Sequence, residues 1–242
     1  MPSNPHLSQD PLWYGPSDAS LVVYAVHGRG QSPDFMKDVA DRVDLPDLAW
    51  VLPAAHNKSW YPQSFLAPVE ENQPALDDAL DAVRTHMDVL LNQAGPPVGV
   101  LGFSQGACLL SEYLLQDRPR LAGAVLHTGG YLGPSERDWE VAPDPGLAGL
   151  SVELLTAQDD DWVPLHRVEA TALAFRSLGA SVELTSYDDP EHHVNDDSIR
   201  RIRRYLSHRT ALSAGQGSPA GDKRTKPSSA GTAGAVGHGP DF

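Results

Sequence analysis

The chain has 242 residues, of which 40% are hydrophobic and 21% are charged, values that are typical of one globular domain with a sizeable core. Its formal net charge of −14 argues against nucleic acid or an anionic membrane surface as the main partner, because a polyanion would be repelled, and favours a neutral small molecule. The single cysteine, Cys108, excludes an internal disulfide and a metal site built from several thiolates of one chain, which suits a reducing cytoplasm.

The first segment, Met1 to Gly15, is polar and rich in proline, without the basic region and apolar core of a signal peptide. No later run comes close to the ~18 uninterrupted apolar residues of a transmembrane helix. We therefore expect a cytoplasmic protein without integral membrane association. The sequence is also compatible with a homodimer.

Short apolar and β-branched runs recur along the chain, each followed by Gly, Pro, Asn or Asp and then by a helical pattern, which predicts repeated βα units. The predicted strands are Leu21–Val26, Ala49–Leu52, Val98–Phe103, Gly123–His127, Val152–Thr156 and Val182–Tyr187. They indicate an α/β fold with a mostly parallel, doubly wound sheet of six or more strands and helices on both faces.

Apolar residues at helical spacing predict helices between these strands. The clearest are expected at Leu76–Leu90, at Val168–Leu178 with Gly179 as a left-handed cap, and at Asp197–Leu206. Residues 1–18 are interpreted as an N-terminal extension and residues 19–210 as the folded domain. Residues 211–242 are predicted to form a disordered tail, because they retain too little apolar surface to offset the entropy of ordering. Its basic residues indicate either a weak interaction patch or a solvated linker: Lys223, Arg224 and Lys226.

A serine stands at the junction of the predicted strand Val98–Phe103 and the helix that follows it. The pattern Gly102-x-Ser104-x-Gly106 places this serine on a sharp turn, where small neighbours let the backbone bend and leave the hydroxyl exposed. The first N–H groups of the following helix favour negative charge there, as an acyl-transfer transition state requires. Ser104 is therefore the candidate nucleophile.

A second candidate element, His27-Gly28-Arg29-Gly30, directly follows the first predicted strand. Its glycines let the main chain approach a substrate oxygen, so the backbone N–H of Arg29 can pair with that of Gln105 as an oxyanion hole. The alternative is an ordinary turn between a strand and a helix. His27 precedes the other candidates in the chain and is interpreted as structural.

An acid and a histidine are expected at the carboxyl ends of later strands. The segment after Val152–Thr156 offers three neighbouring acids, Asp159, Asp160 and Asp161. The segment after Val182–Tyr187 offers His192 and His193. A histidine takes the serine proton and an aspartate fixes its tautomer, so both roles are filled, although the exact residues stay open at this point.

With these residues the chain resembles the carboxylesterase/phospholipase family of α/β-hydrolases, which also contains acyl-protein thioesterases. The likeness runs from Leu21 to Leu206. It rests on segments in the family's order and spacing: His27–Gly30, Trp60-Tyr61-Pro62, Gly102–Ala107, Asp160-x-x-Val163-Pro164 and His192-x-Val194-Asn195.

The resemblance implies an α/β-hydrolase fold and selects the site residues. The family's acid stands three residues before a Val-Pro pair, which selects Asp160, and its histidine stands three before an Asn, which selects His192. Arg29 and Gln105 would supply the oxyanion N–H groups. The implied activity is hydrolysis of a carboxylic ester of a small or medium, largely neutral substrate through an acyl-serine intermediate, without a cofactor. A thioesterase or an acyltransferase would use the same residues.

Two segments depart from the family pattern. Glu191 stands where the family commonly has Gly, and its carboxylate is expected either to raise the pKa of His192 or to compete with Asp160 for its orientation. The segment from His127 to Gly130 often contains Ser in the family. His127 is interpreted as a core residue or as one that supports the site. The chain between His127 and Val152 is too short for a large lid domain.

The segment Asn57–Leu66 is too aromatic for an ordinary exposed loop and is predicted to form a pocket wall. Its candidate substrate-binding residues are Trp60, Tyr61, Phe65 and Leu66. The alternative is that Trp60 or Phe65 only packs the loop against the domain.

Two readings from other functional classes compete with the serine hydrolase. A metal-dependent hydrolase would use the acidic and histidine cluster of Asp159, Asp160, Asp161, His192, His193, Asp196 and Asp197. It would leave the Ser104 turn and the glycine loop without a role, so no metal is expected. A binding protein that keeps the fold without turnover is the other reading. Cys108 is a poor rival nucleophile, since it lies one turn into a helix as a small buried residue.

Overall fold

The computed structural model describes residues 4–139, 146–189 and 191–216. Its strands are β1 Leu12–Tyr14, β2 Leu21–Val26, β3 Leu48–Leu52, β4 Val98–Phe103, β5 Gly123–His127, β6 Ser151–Ala157 and β7 Ser181–Tyr187. Its α-helices are α1 Pro33–Val43, α2 Ala75–Asn92, α3 Gln105–Asp117, α4 Leu165–Ser177 and α5 Asp196–Gln216. Short 3-10 turns occur at Pro5–Leu7, His56–Lys58 and Val69–Asn72.

The seven strands form one sheet in the order β1-β3-β2-β4-β5-β6-β7. β1 pairs antiparallel with β3, and every other neighbouring pair is parallel. All six predicted strands are present, and their ends agree with the prediction to within one residue. The predicted α/β fold is confirmed, and no large lid domain interrupts the described residues.

Helices cover both faces of the sheet, which explains why central strands consist of continuous apolar runs. On one face Val22, Tyr24 and Val26 of β2 join the apolar residues of α2, α3 and α4. On the other face the alternate residues of β2 pack with α1 and α5. The helix α3 is buried from Gln105 to Leu115, so the residue before it, Ser104, is held in place by a tightly packed helix.

The N-terminal segment is part of the domain rather than an extension before it. β1 adds an antiparallel edge strand, with Trp13 opposite Val51 of β3. His6 is buried, packs its ring 5.3 Å from that of Trp60 and accepts the backbone N–H of His56 at 3.0 Å. The predicted start of the domain at residue 19 is therefore too late, because these contacts join residues far apart in the sequence and leave no local pattern.

The last helix is longer than predicted. α5 continues to Gln216, so residues 211–216 are helical rather than part of a disordered tail. Ala211 and Leu212 extend the helix because both favour helical backbone. Residues 217–242 of the predicted tail, with Lys223, Arg224 and Lys226, lie outside the described residues. Within the described part of the chain, no helix is both long enough and apolar enough to cross a membrane.

One carboxyl group in the sheet gives the domain a pH-dependent stability. Glu153 of β6 is buried, and its Oε1 has no hydrogen-bond partner among the described residues. Burial, and then repulsion from Glu183, raises its pKa from 4.5 to about 7, although Arg201 and Arg204 oppose the shift. Because the folded-state pKa is the higher one, the contribution of Glu153 to the free energy of unfolding is greatest below pH 4.5 and falls as the pH rises toward 7.

We expect Glu153→Gln to raise the free energy of unfolding at pH 8 by about 1–2 kcal/mol, since part of the desolvation penalty is screened by water. Urea unfolding at pH 5 and pH 8 measures the effect, which should be smaller at pH 5. The exposed neighbour Glu183 supplies the control, and Glu183→Gln should change stability by less. An equal pH dependence in wild type and Glu153→Gln would contradict the assignment.

Candidate active site

Ser104 lies on a tight turn between β4 and α3, with φ 53° and ψ −121°. This backbone conformation is strained for a residue with a side chain, and such strain is typical of a functional turn. Gly106 makes the turn possible, because a Cβ at that position would lie 2.2 Å from the carbonyl oxygen of Val26. The strand, turn and helix thus hold the Ser104 hydroxyl at the carboxyl edge of the sheet.

Two loops bring a histidine and an acid to this hydroxyl. The loop after β7 places His192 Nε2 2.7 Å from Ser104 Oγ. The loop after β6 places Asp160 Oδ2 2.7 Å from His192 Nδ1. The three side chains therefore form one continuous hydrogen-bonded chain.

Asp160 is held by its own loop as well as by the histidine. Its Oδ1 accepts the backbone N–H groups of Trp162 at 2.8 Å and Val163 at 2.9 Å. Burial alone would raise the pKa of Asp160, but the hydrogen bonds from His192, Val163 and Trp162 outweigh it and lower the pKa below 3.8. Asp160 is consequently ionised at neutral pH.

The neighbouring acids and histidine take no part in the hydrogen bonds that join Ser104, His192 and Asp160. Asp159 and Asp161 are exposed. His193 is bonded instead to Asp189 Oδ2 at 2.8 Å and lies 3.3 Å from Glu191 Oε2. The expected competition between Glu191 and Asp160 does not occur, because the Glu191 carboxylate is 73% exposed and faces His193.

The glycine loop at residues 27–30 passes directly beside Ser104. A Cβ on Gly28 would lie 3.0 Å from Ser104 Cβ, a contact so tight that any larger residue would push the loop or Ser104 aside. The Arg29 guanidinium donates to the carbonyl oxygens of Pro62 and Gln63 and thereby ties this loop to the next one. The Arg29 side chain thus stabilises the arrangement of the two loops.

The Gln105 side chain has a similar structural task. Its Oε1 accepts the backbone N–H of Trp60 at 2.9 Å, and its Nε2 donates to the carbonyl oxygen of Tyr61 at 2.7 Å. Among the described residues, the backbone N–H groups of Arg29 and Gln105 donate to no acceptor. Both therefore remain available to an oxygen bound beside Ser104.

His27 stabilises the glycine loop from the interior of the domain. Its ring is buried, with Nδ1 2.8 Å from the carbonyl oxygen of Gly28, and Nε2 accepts the N–H of Ala55 at 3.1 Å. The acceptor role of Nε2 places the proton on Nδ1, and burial lowers the pKa of this histidine, so it is neutral. This agrees with its interpretation as a structural residue.

A family model describing phospholipase/carboxylesterase proteins matches residues 15–210. The chain belongs to this family. The resemblance inferred from the motifs is confirmed, and the protein is a member of a hydrolase family. A search among curated proteins gives no match.

Solved structures agree with this phospholipase/carboxylesterase assignment. A phospholipase/carboxylesterase from Dyadobacter fermentans is 30% identical, with 82% of this chain and 97% of that chain covered and a TM-score of 0.75. Acyl-protein thioesterase 2 from Zea mays is 18% identical, with 83% and 98% covered and a TM-score of 0.68. At that lower identity, the second structure shows the shared fold alone.

An open cleft of about 460 Å³ leads to the Ser104 hydroxyl. Two of the predicted substrate-binding residues, Tyr61 and Phe65, line it. Its remaining lining residues are Arg29, Pro62, Gln63, Ser64, Ser104, Gln105, Cys108, Trp162, Val163 and His192. The loop predicted as a pocket wall therefore does border the cleft of this phospholipase/carboxylesterase family member.

The other two predicted wall residues are corrected by the structure. Trp60 is fully buried, donates Nε1–H to the carbonyl oxygen of His27 at 2.9 Å and packs its ring 5.2 Å from that of His27. It fastens the loop to the domain and does not line the cleft. Leu66 is partly buried against the core and is also outside the lining.

Sequence reasoning missed Trp162, which lines the cleft and is 72% exposed. The available signal was an aromatic residue immediately after the acidic run Asp159–Asp161, at the carboxyl end of a strand. Cys108 also borders the cleft, but burial raises the pKa of its thiol to about 11. A neutral buried thiol is a poor nucleophile.

The alternative metal site does not assemble in the structure. Among the residues that the structure describes, no group of three or more His, Cys, Asp or Glu side chains is placed to hold a metal ion. Asp196 is instead paired with Arg42, and Asp197 is paired with Arg200 and Arg201.

Proposed function

We propose that this protein is a serine hydrolase that cleaves a carboxylic ester of a small or medium, largely neutral substrate. Ser104 is the nucleophile, His192 the general base and acid, and Asp160 the residue that orients the histidine. The observation that carries the proposal is the hydrogen-bonded chain from Ser104 Oγ to His192 to Asp160, with both contacts at 2.7 Å.

The reaction proceeds in two acyl-transfer steps. His192 Nε2 takes the proton of Ser104 as Oγ attacks the ester carbonyl, and returns it to the alcohol as the carbon–oxygen bond breaks. A water molecule then attacks the acyl-serine, with His192 again taking the proton, and Ser104 is restored when the acid leaves. The ionised Asp160 stabilises the imidazolium in both steps.

The negative charge on the carbonyl oxygen is held by the backbone N–H groups of Arg29 and Gln105. Both are free of other acceptors within the described residues, both residues line the cleft at Ser104, and Gln105 is the first residue of α3. One such donor contributes about 3–4 kcal/mol to the transition state. The positive end of the α3 dipole adds to this stabilisation.

The cleft walls favour an uncharged, apolar substrate group. Trp162 supplies exposed aromatic surface, and the largely buried rings of Tyr61 and Phe65 also line the cleft. The Arg29 guanidinium is already bonded to two carbonyl groups and offers little to a substrate anion. Thioesters use the same attack and the same acyl-serine, so a matched ester and thioester pair with one acyl chain measures the preference.

Labelling with a fluorophosphonate probe tests the proposed function. We expect a single covalent adduct on Ser104, located by peptide mass mapping, and no adduct after heat denaturation. Cys108→Ala is the matched control and should be labelled like wild type, because the thiol is neutral and buried. No adduct, or an adduct on another residue, would refute the assignment.

The exposed Trp162 ring should contribute substrate affinity. We expect Trp162→Ala to raise KM for p-nitrophenyl hexanoate about tenfold and to change KM for the acetate less, because only the longer acyl chain reaches the ring. Steady-state kinetics on both esters measures the difference. Trp13→Ala removes another exposed indole, on the edge strand β1, and should leave both constants unchanged. Equal changes for the two esters would argue against this contact.

A further inference from the structure

His127, at the end of β5, is the one residue of its strand that contacts both the turn at Ser104 and the start of α5, which follows the loop of His192. Its carbonyl oxygen accepts the backbone N–H of Ser104 at 2.9 Å. Its buried imidazole points to α5, where Nε2 lies 2.7 Å from Ser198 Oγ. The Phe103 ring packs against both this imidazole and that of the base, with its centroid 5.5 Å from that of His127 and 5.3 Å from that of His192.

The hydrogen bonds fix the tautomer of His127. The Ser198 hydroxyl donates to Asn195 Oδ1 at 2.9 Å, so its oxygen accepts a proton from His127 Nε2. Nδ1 is then the acceptor and receives the Thr128 hydroxyl at 2.7 Å. Both ring nitrogens are satisfied, which leaves this imidazole no part in proton transfer.

From Ser198 the chain of contacts continues into the loop that carries the base. Asn195 Nδ2 donates to Asp189 Oδ2 at 3.1 Å, and Asp189 Oδ1 accepts the backbone N–H of Glu191 at 3.0 Å. The loop is thereby closed on both sides of His192. In this series of contacts, the hydrogen bond between His127 and Ser198 is the one that joins the loop to β5, while Arg42 of α1 holds the same loop through the carbonyl oxygen of Val194.

We propose that His127 is a positioning residue that sets the spacing between Ser104 and His192. The inference rests on the proposed function, and it assigns the imidazole a role through Ser198 rather than on the substrate. Its carbonyl holds the nucleophile turn and its ring holds the loop of the base, so losing the ring contact removes one of the restraints that fix the spacing between them. A displacement of about 1 Å between reacting groups lowers turnover by as much as 10²-fold.

Two neutral amide variants separate positioning from packing. In His127→Gln the amide nitrogen falls close to the position of the imidazole Nε2 and can still donate to Ser198. In His127→Asn the shorter amide reaches only the position of Nδ1, beside Thr128. We expect His127→Asn to lower kcat by roughly 10- to 100-fold with KM within about twofold, and His127→Gln to stay within about threefold of wild type. Rates are normalised to the fraction of sites labelled by fluorophosphonate.

Ser198→Ala removes only the hydroxyl and should lower kcat like His127→Asn, which gives a test that does not depend on replacing the histidine. His86→Leu is the packing control, because His86 of α2 is a partly buried histidine bonded to the Tyr24 hydroxyl at 3.0 Å, and its loss should lower the melting temperature without lowering kcat. Equal kcat for the two amide variants, or an unchanged kcat in Ser198→Ala, overturns the positioning role. Failure of wild type to be labelled overturns the proposed function itself, and is therefore a distinct result.

Discussion

Ser104→Ala is expected to lower kcat for p-nitrophenyl acetate by about 10⁶-fold, the loss typical of a triad that acts as a unit. The variant keeps the pair of His192 and Asp160, which are bonded at 2.7 Å without help from the serine. It also keeps the strained backbone, because alanine meets the same steric cost as serine at φ 53°. The loss therefore reports the missing hydroxyl rather than a misfolded turn.

A second serine on the same structural unit supplies the control. Ser111 lies in α3 and is buried, and among the described residues its hydroxyl bonds only to the carbonyl oxygen of Ala107, at 2.7 Å. Ser111→Ala should retain nearly wild-type kcat. Retention of more than about one hundredth of the wild-type rate by Ser104→Ala would exclude Ser104 as the nucleophile, since a triad without its serine keeps far less.

The parallel sheet was predictable because its central strands are covered by helices on both faces and therefore consist of largely apolar runs. β4, from Val98 to Phe103, is buried along its whole length. The same geometry predicts where the site lies, since the carboxyl ends of parallel strands meet at one edge. The side chains that follow β4, β6 and β7 could therefore be expected to converge, as Ser104, Asp160 and His192 do.

The contacts that join distant segments were not predictable. β1 has only three residues, too few for an alternating pattern to be recognised, and its stability comes from pairing with β3. His6 is held by its contacts with Trp60 and His56, which lie about fifty residues later in the chain. The contact between His127 and Ser198 likewise spans 71 positions.

The roles of Trp60 and Tyr61 show why loop side chains resist prediction. The two aromatic residues are adjacent and both are almost fully buried, yet only Tyr61 is among the residues that line the cleft. The backbone just before them reverses at Asn57 and Lys58, which have φ of 51° and 58°. No hydrophobic period survives such a turn, so composition indicates an aromatic wall but not which ring forms it.

The two adjacent histidines allow a sharp test of the base. We expect His192→Ala to lower kcat by on the order of 10⁴- to 10⁶-fold, because the proton of Ser104 then has no acceptor. His193→Ala should lower it by less than about fivefold, because an exposed ion pair contributes only about 0–1 kcal/mol. The lost partners of His193, Asp189 and Glu191, are both partly or largely exposed and stay solvated.

Measurement of kcat for both variants over pH 5–9 decides between the two assignments. The variants differ by one position in the same loop, so a general loss of loop structure would affect them alike. Asp189 retains the backbone N–H of Glu191 and the side chain of Asn195 in either variant, which keeps the loop closed. A large loss in His193→Ala with a small one in His192→Ala would move the base by one residue and would require Asp160 to orient a different ring.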